Sequence, residues 1–242
     1  MLRVLGSSGA LGRAIEFYGP AIDALDLAGH ITLASQVTEM GGIIGFPVCE
    51  SANYESRITN HVSRFSAQLP CGMFHADPDA EYIETINIDT TGIEPLIACP
   101  PSPANVKLVR DVAGRRIDSV FIGSCTNGRF EDFAAVAEIV RSKRIAPHVM
   151  ATIVPATRAV YAQMLESGVL RALFDAGFII SNPGCGGCAS GHLGMTGKGE
   201  VQISTSNRNF PGKQGAGETY LASPVTVAWC ALAGEIAGPA EK

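Results

Sequence analysis

The chain has 242 residues, of which 46% are hydrophobic and 17% charged, and a net charge of −5. That length suffices for one large or two modest domains with a well-buried core, and the composition excludes a disordered chain. The negative balance argues against nucleic acid or an acidic membrane surface as main partner, no apolar run approaches a bilayer span, and the start MLRVLGSSGALGRAIEFYG lacks the layout of a secretory signal, so a cytoplasmic location is the default expectation.

In chain order, an early helix comes first. HITLASQVTEMGGIIGF predicts a helix over 31–40, with Gly41, Gly42 and Gly45 marking turns or tight packing behind it. Residues 54–65 are polar and read as helical. EYIETINIDTTGIEPLIAC alternates as extended strands do, most clearly over 85–88. CPPSPANVKLV, residues 99–109, is a proline-rich connector whose prolines can continue neither a ladder nor a helix. It divides the chain into an α/β domain over 1–98 and a second α/β domain over 99–242. Beyond it the pattern becomes regular. DSVFIGSCTNGR is a buried strand over 119–122 that runs into a glycine turn, and FEDFAAVAEIVRSK is an amphipathic helix. HVMATIVPAT is a strand, and RAVYAQMLESGVLRALFDAG is helical with a break near Gly168. FIISNPGCGGCASG is a strand, a turn and a helix start, EVQISTSNRNF a further strand and loop, and SPVTVAWCALAGEI a closing helix. Strands alternating with helices predict a layered α/β/α fold with mainly parallel sheets.

In such sheets ligands sit beyond the carboxyl ends of the strands. Three polar loops, GSCTNGR, NPGCGGC and STSNRNF, each follow a predicted strand and are expected to converge at one edge. The seven cysteines, Cys49, Cys71, Cys99, Cys125, Cys185, Cys188 and Cys230, are odd in number and irregularly spaced, so reduced thiols are expected rather than a disulfide framework. Most read as core residues, Cys230 in VTVAWCALAG above all. Cys125, Cys185 and Cys188 differ because they lie in the strand-end loops. A structural zinc site or a fully held iron–sulfur cluster takes four protein ligands. Three ligands leave a metal position open to substrate, which suits a Lewis acid. Gly184, Gly186 and Gly187 let the backbone approach a bulky inorganic cluster and leave amide groups free to hydrogen-bond it. A thioredoxin-type redox pair is the alternative for Cys185 and Cys188, weakened by their Gly-Gly spacer. A lone C-x-x-C is a weak signal. Cys125 in one strand-end loop and Asn207-Arg208 in another make the set specific.

FIGSCTNGR, NPGCGGCASGHLG and STSNRNFPGKQG together resemble signature stretches of the aconitase superfamily, closest to large subunits of the 3-isopropylmalate dehydratase and homoaconitase group. IEFYGPAI, ADPDAEY and CPPSPANVKLV resemble further segments in the expected order, so the resemblance covers nearly the whole chain. It implies aconitase-like α/β domains and a [4Fe–4S] cluster held by Cys125, Cys185 and Cys188. It also implies a hydro-lyase that moves the hydroxyl of a hydroxy di- or tricarboxylic acid by dehydration and rehydration, of the leucine-biosynthetic 3-isopropylmalate type, with homoaconitase or dimethylmalate dehydratase as alternatives. Arg208 matches a substrate-binding arginine, Asn207 an asparagine beside the cluster, and Glu39 in VTEMGG a glutamate that handles the iron-bound hydroxyl or water. The chain departs from the pattern at Lys213, where the family commonly has arginine, and at Ser35, where a cluster-neighbouring asparagine is expected. Lysine keeps the charge but loses the planar fork. Ser124, Thr126 and Asn127 are expected to supply turn chemistry and hydrogen bonds around Cys125. His75, His192 and Ser206 are expected to be loop residues rather than ligands or a base.

The resemblance further implies that the family's N-terminal active-site region and small swivel domain are absent from this chain, the latter being a separate subunit with the catalytic serine. The chain is therefore expected to be a fragment or one piece of a split enzyme, inactive without that N-terminal part and the small subunit. Against the hydro-lyase stands a non-catalytic iron–sulfur or zinc module that binds a partner.

Overall fold

The computed structural model describes residues 1–48, 77 and 79–239. These fall into two compact units, one of residues 1 and 3–93 and the other of residue 2 and residues 94 onward. The helix expected over 54–65, together with Cys49, Cys71 and His75, lies outside the described residues.

In the first unit the opening helix is a single turn, α1 (Leu2–Leu5), and the segment behind it is a strand, β1 (Ala14–Phe17). A short helix α2 (Pro20–Asp23) and the longer α3 (Leu27–Gln36) follow. Asp26 caps α3 by accepting from the Gly29 amide at 2.8 Å, which fixes its start earlier than the apolar pattern suggests. A 3-10 turn, Val37–Met40, tightens its end and stops at Gly41, whose φ of 81° is left-handed. The chain then returns as β2 (Ile44–Pro47), parallel to β1 with Ala14 opposite Ile44 and Phe17 opposite Pro47. The glycines flanking this return pack closely, as expected. A Cβ on Gly42 or Gly45 would lie 2.5 or 2.4 Å from a Val37 methyl group. Residues 85–88 are not a strand, contrary to their alternation, because no described strand pairs with them.

The second unit holds a seven-stranded sheet in the order β4-β3-β9-β8-β5-β6-β7. Its strands are β3 (Leu96–Ala98), β4 (Val106–Leu108), β5 (Ser119–Gly123), β6 (Met150–Val154), β7 (Ile179–Ile180), β8 (Val201–Ser204) and β9 (Glu218–Ala222). Strands β9, β8, β5, β6 and β7 run parallel, and β3 is antiparallel to both β9 and β4. The strand β9 was not expected, since ETYLA precedes the closing helix without a marked alternation. The helices are α4 (Ser124–Asn127), α5 (Phe130–Val140), α6 (Arg158–Glu166), α7 (Val169–Ala176) and α8 (Pro224–Ala233). Gly168, with φ of 77°, makes the expected break between α6 and α7. The fold is thus α/β with a mainly parallel sheet.

The division between the units falls at 93/94 rather than at 98/99. Residues 96–98 pair with β9 and β4, so the proline-rich stretch is the turn of a hairpin inside the second unit rather than a linker.

The two faces of the sheet differ in chemistry. Val120 and Ile122 of β5, Ala151 and Ile153 of β6, Ile203 of β8 and Tyr220 of β9 join Phe133, Val136, Leu173 and Val227 of the helices in one apolar core. The residues between them, Ser119, Thr152, Gln202, Ser204 and Thr219, are buried and polar. The period of two sorts side chains in this way, apolar toward the helices and polar toward loops that can hydrogen-bond them. Gln202 Nε2 donates to the Gly194 carbonyl at 2.9 Å and to Ser119 Oγ at 3.3 Å. Phe133 is fully buried in the apolar layer. Phe133→Ala is expected to lower the unfolding free energy of this unit by about 3–5 kcal/mol, read as a shift of the urea midpoint at unchanged slope.

Candidate functional site

The parallel strands β5, β6, β7 and β8 all end at one edge, and the three polar loops leave from it. After β5 the backbone turns sharply. Gly123 has φ of 145°, and a Cβ there would lie 2.2 Å from the Val154 carbonyl oxygen. Ser124 follows with φ of 72°, a conformation that costs a non-glycine residue free energy of order 1 kcal/mol or more. This turn starts α4 and leaves Cys125 exposed between the buried Ser124 and Thr126.

The loop after β8 is laced to that turn. Thr205 Oγ1 accepts from the Gly123 amide at 3.0 Å, and the Thr205 amide donates to the Phe121 carbonyl at 3.0 Å. Asn127 Nδ2 donates to the Thr205 carbonyl, and Asn207 Nδ2 to Thr126 Oγ1 at 3.2 Å. Thr126 and Asn127 therefore supply the expected hydrogen bonds around the Cys125 turn, and Asn207, expected beside a cluster, is tied to the same turn. Arg208 is next, its carbonyl accepting from Gln214 Nε2 at 2.6 Å, and the Lys213 amide donates to Phe210 at 3.0 Å.

The cysteine pair after β7 lies on the polar face of the sheet. Gly184 donates to the Pro155 carbonyl at 3.2 Å, and Cys188 N to the Cys185 carbonyl at 3.2 Å, closing a 3-10 turn, Gly186–Cys188. Phe121 of β5 is its floor. A Cβ on Gly186 would lie 2.6 Å from the Phe121 ring, one on Gly194 2.4 Å, and one on Gly187 2.5 Å from the Gly194 carbonyl oxygen. No side chain fits at these three positions. Gly186, Gly187 and Gly194 thus let the thiol loop sit directly on β5, the strand that leads into the Cys125 turn, whereas a Cβ on Gly184 would meet nothing within 4 Å.

The structure thus gathers Cys125, Cys185, Cys188, Asn207, Arg208 and Lys213. The charges of Cys125, Cys185, Arg208 and Lys213 all act on Cys188. Burial pushes the Cys188 thiol up, and the neighbouring thiols Cys125 and Cys185 add to that push. Lys213 and then Arg208 pull it down. The five described cysteines are all free thiols, with Cys99 and Cys230 buried in the core. Burial raises Cys230 to about 11, as fits a residue that packs rather than reacts.

Glu39 and Ser35 belong to the first unit. Glu39 is buried in the 3-10 turn, its Oε1 accepting from Thr38 Oγ1 at 3.3 Å, and the Ser35 carbonyl accepts from the same hydroxyl at 3.3 Å. His192 is exposed, and Ser206 is a buried loop residue whose amide donates to Ser204 Oγ at 3.0 Å. Thr205 and Gln214, which hold the Cys125 turn and the Arg208 backbone, were not expected. Their residue types carry no signal, and only the position of Thr205 directly after a strand hints at it.

Among the described residues no three of His, Cys, Asp and Glu stand close enough to ligate a single metal ion. A zinc ion needs all its thiolates about 2.3 Å from one point, whereas the ligands of a cluster each hold a different iron. The donor set fits a cluster in two ways. It offers three soft thiols on adjacent loops. It places two cations where thiolates and an anionic cluster need compensation.

The family model described as "Aconitase family (aconitate hydratase)" matches residues 1–114 and 107–234. A 3-isopropylmalate dehydratase large subunit from Sulfurihydrogenibium sp. (strain YO3AOP1) is 42% identical over 98% of this chain and 54% of its own. A probable methanogen homoaconitase large subunit from Methanosarcina mazei is 40% identical over 97% and 58%, and a 3-isopropylmalate dehydratase large subunit from Aquifex aeolicus is 39% identical over 98% and 55%. The chain spans about half the length of these curated relatives. With nearly every residue matched by such relatives, this chain belongs to the aconitase family.

Proposed function

We propose that this chain is the cluster-bearing part of a hydro-lyase that isomerises a hydroxy di- or tricarboxylic acid by dehydration and rehydration, of the 3-isopropylmalate dehydratase type. One observation carries the reading: Cys125, Cys185 and Cys188 share one sheet edge with Arg208 and Lys213. A [4Fe–4S] cluster held by the three thiols would supply an open iron as Lewis acid toward the departing hydroxyl group. The chain's own residues do the rest. Asn207 anchors the loop that carries Arg208, so the guanidinium is presented from a fixed backbone. Arg208 binds a substrate carboxylate through its planar fork, and Lys213 adds a point charge beside it. Glu39 is assigned to proton handling at the hydroxyl or water, and Ser35 to a position beside the cluster. The relatives are large subunits, which supports a small-subunit partner. A cytoplasmic location suits the three exposed or half-exposed thiols, which need reducing surroundings.

Anaerobic reconstitution with iron and sulfide is expected to give a brown species with broad thiolate-to-iron absorbance, reduced to background by Cys125→Ser. Zinc uptake in its place would sink the reading in favour of a non-catalytic module. With the complementary polypeptides supplied, turnover should be greater with 3-isopropylmalate than with homocitrate, and the reverse would assign the homoaconitase type.

In that assembly Arg208→Gln is expected to raise KM by about 10- to 100-fold, since a charge-assisted pair contributes about 1.5–3 kcal/mol. Steady-state kinetics with an unchanged KM would remove Arg208 from the substrate site.

The Cys188 thiol should also ionise only at a higher pH than a small free thiol. Its raised pKa keeps it protonated at pH values where a small free thiol is already thiolate. Alkylation by iodoacetamide, followed by peptide mass spectrometry, is expected to reach half-maximal rate at Cys188 at a pH above that of the free thiol. Lys213→Met should move it higher still, because the charge that favours the thiolate is gone.

A further inference from the structure

A cavity of about 540 Å³ opens in the second unit where β8 and β9 begin, at Val201 and Glu218. Its size lies within the roughly 300–1,000 Å³ usual for a small-molecule site. Neither the thiols nor Arg208 and Lys213 line it. Part of its wall is apolar, made by Pro100, Pro101, Pro211, Val201 and Tyr220. The rest carries charge and hydrogen-bonding groups, and these narrow what can bind.

Opposite charges meet on this wall. Arg115 Nη2 donates to Glu218 Oε2 at 2.6 Å, and the two side chains are 44% and 54% exposed. The Arg115 guanidinium also lies over the Tyr220 ring, 5.5 Å from its centroid. An exposed pair contributes little by itself, so a ligand that offers both members a new partner can open it at little cost. The guanidinium has several N–H donors and the bridge engages one nitrogen, which leaves a fork able to take a second carboxylate. The wall's other carboxylate, Glu200, accepts from the Gly197 amide at 2.6 Å. Asn209, 3% exposed, is the buried polar residue of the wall. Its Nδ2 donates to the Ala98 carbonyl at 3.2 Å and the Thr219 carbonyl at 3.0 Å, whereas its Oδ1 has no hydrogen-bond partner among the described residues. A buried acceptor of this kind calls for a donor from outside the chain. A ligand with a single charge would match one member of the Arg115–Glu218 pair and oppose the other. A ligand with both charges on one carbon matches both.

We infer that this cavity binds a large apolar α-amino acid as its zwitterion. Arg115 takes the carboxylate and Glu218 the ammonium, so each keeps an opposite charge when the ligand parts them. The ammonium brings three N–H donors, the resource that Asn209 Oδ1 lacks. The side chain lies on the prolines and the Tyr220 ring, apolar surface that loses water on binding. A peptide end carries only one of the two charges and is excluded on the same ground. Asn209 and Pro211 belong to the loop that also carries Arg208 and Lys213, so the occupant borders that loop. The inference rests on residues outside the thiol edge and does not depend on the reaction proposed for it.

The test is calorimetric titration of the purified full chain with L-phenylalanine. One site is expected, with a dissociation constant of about 1 mM or lower. Phenylpropanoate lacks the ammonium, phenethylamine lacks the carboxylate, and glycine lacks the apolar body; each should bind at least tenfold more weakly. Arg115→Gln and Glu218→Gln should each weaken phenylalanine binding more than tenfold while leaving the urea midpoint near the parent's, since the pair is exposed. Should Arg115→Gln fail to fold, Glu218→Gln alone decides the matter. Arg116→Gln, at a neighbouring arginine that pairs with Asp118 and is absent from the wall, should bind as the parent does. Failure of phenylalanine to bind, equal binding of any of the three analogues, or binding unchanged in Glu218→Gln would each overturn the inference. So would binding that survives Arg115→Gln and is lost in Arg208→Gln, because the carboxylate would then be held at the thiol edge.

Discussion

The candidate site depends on how closely backbone packs on backbone beneath it. Phe121 projects from the central strand β5 on the polar face, and Gly186 and Gly194 lie against its ring where any Cβ would fall inside contact distance. At the end of the same strand Gly123 lies against the Val154 carbonyl with no room for a side chain. These approaches set the height of the thiol loop above the sheet and the start of the Cys125 turn. Because interiors are close-packed, a displacement at any of them would be passed to the thiols rather than absorbed. The positive φ of Ser124 is held by the hydrogen bonds that Thr205, Asn127 and Asn207 make across the turn.

On this frame the electrostatics oppose one another. Partial burial and neighbouring thiols keep Cys188 protonated, while Lys213 and Arg208 favour its thiolate. Metal ligation needs the thiolate, so the cations that suit a carboxylate substrate also ease ligation. The residue choice at 213 matters to both. A lysine places a full charge near the thiols but presents no planar fork, so in the proposed function bidentate recognition falls to Arg208.

The two units differ in what is described of them. The second has a seven-stranded sheet with an apolar core on one face and a layer of buried polar side chains on the other. Among the described residues the first has two paired strands, a capped helix and several exposed isoleucines.

The sequence by itself determined the alternation of strands and helices from residue 119 to β8, though not β9, the break at Gly168, and the strand-end loops that carry Cys125, Cys185, Cys188, Asn207 and Arg208. Apolar period and loop chemistry are local, so they can be read from a line of residues. Tertiary structure decided what depends on partners distant in sequence. The prolines of 99–109 turn a hairpin because β3 finds β9 more than a hundred residues later. The alternation at 85–88 yields no strand because a ladder needs a neighbour. The glycines around the cysteine pair also yield room to Phe121. Only packing could show that, since the contact joins residues that nothing in the sequence connects.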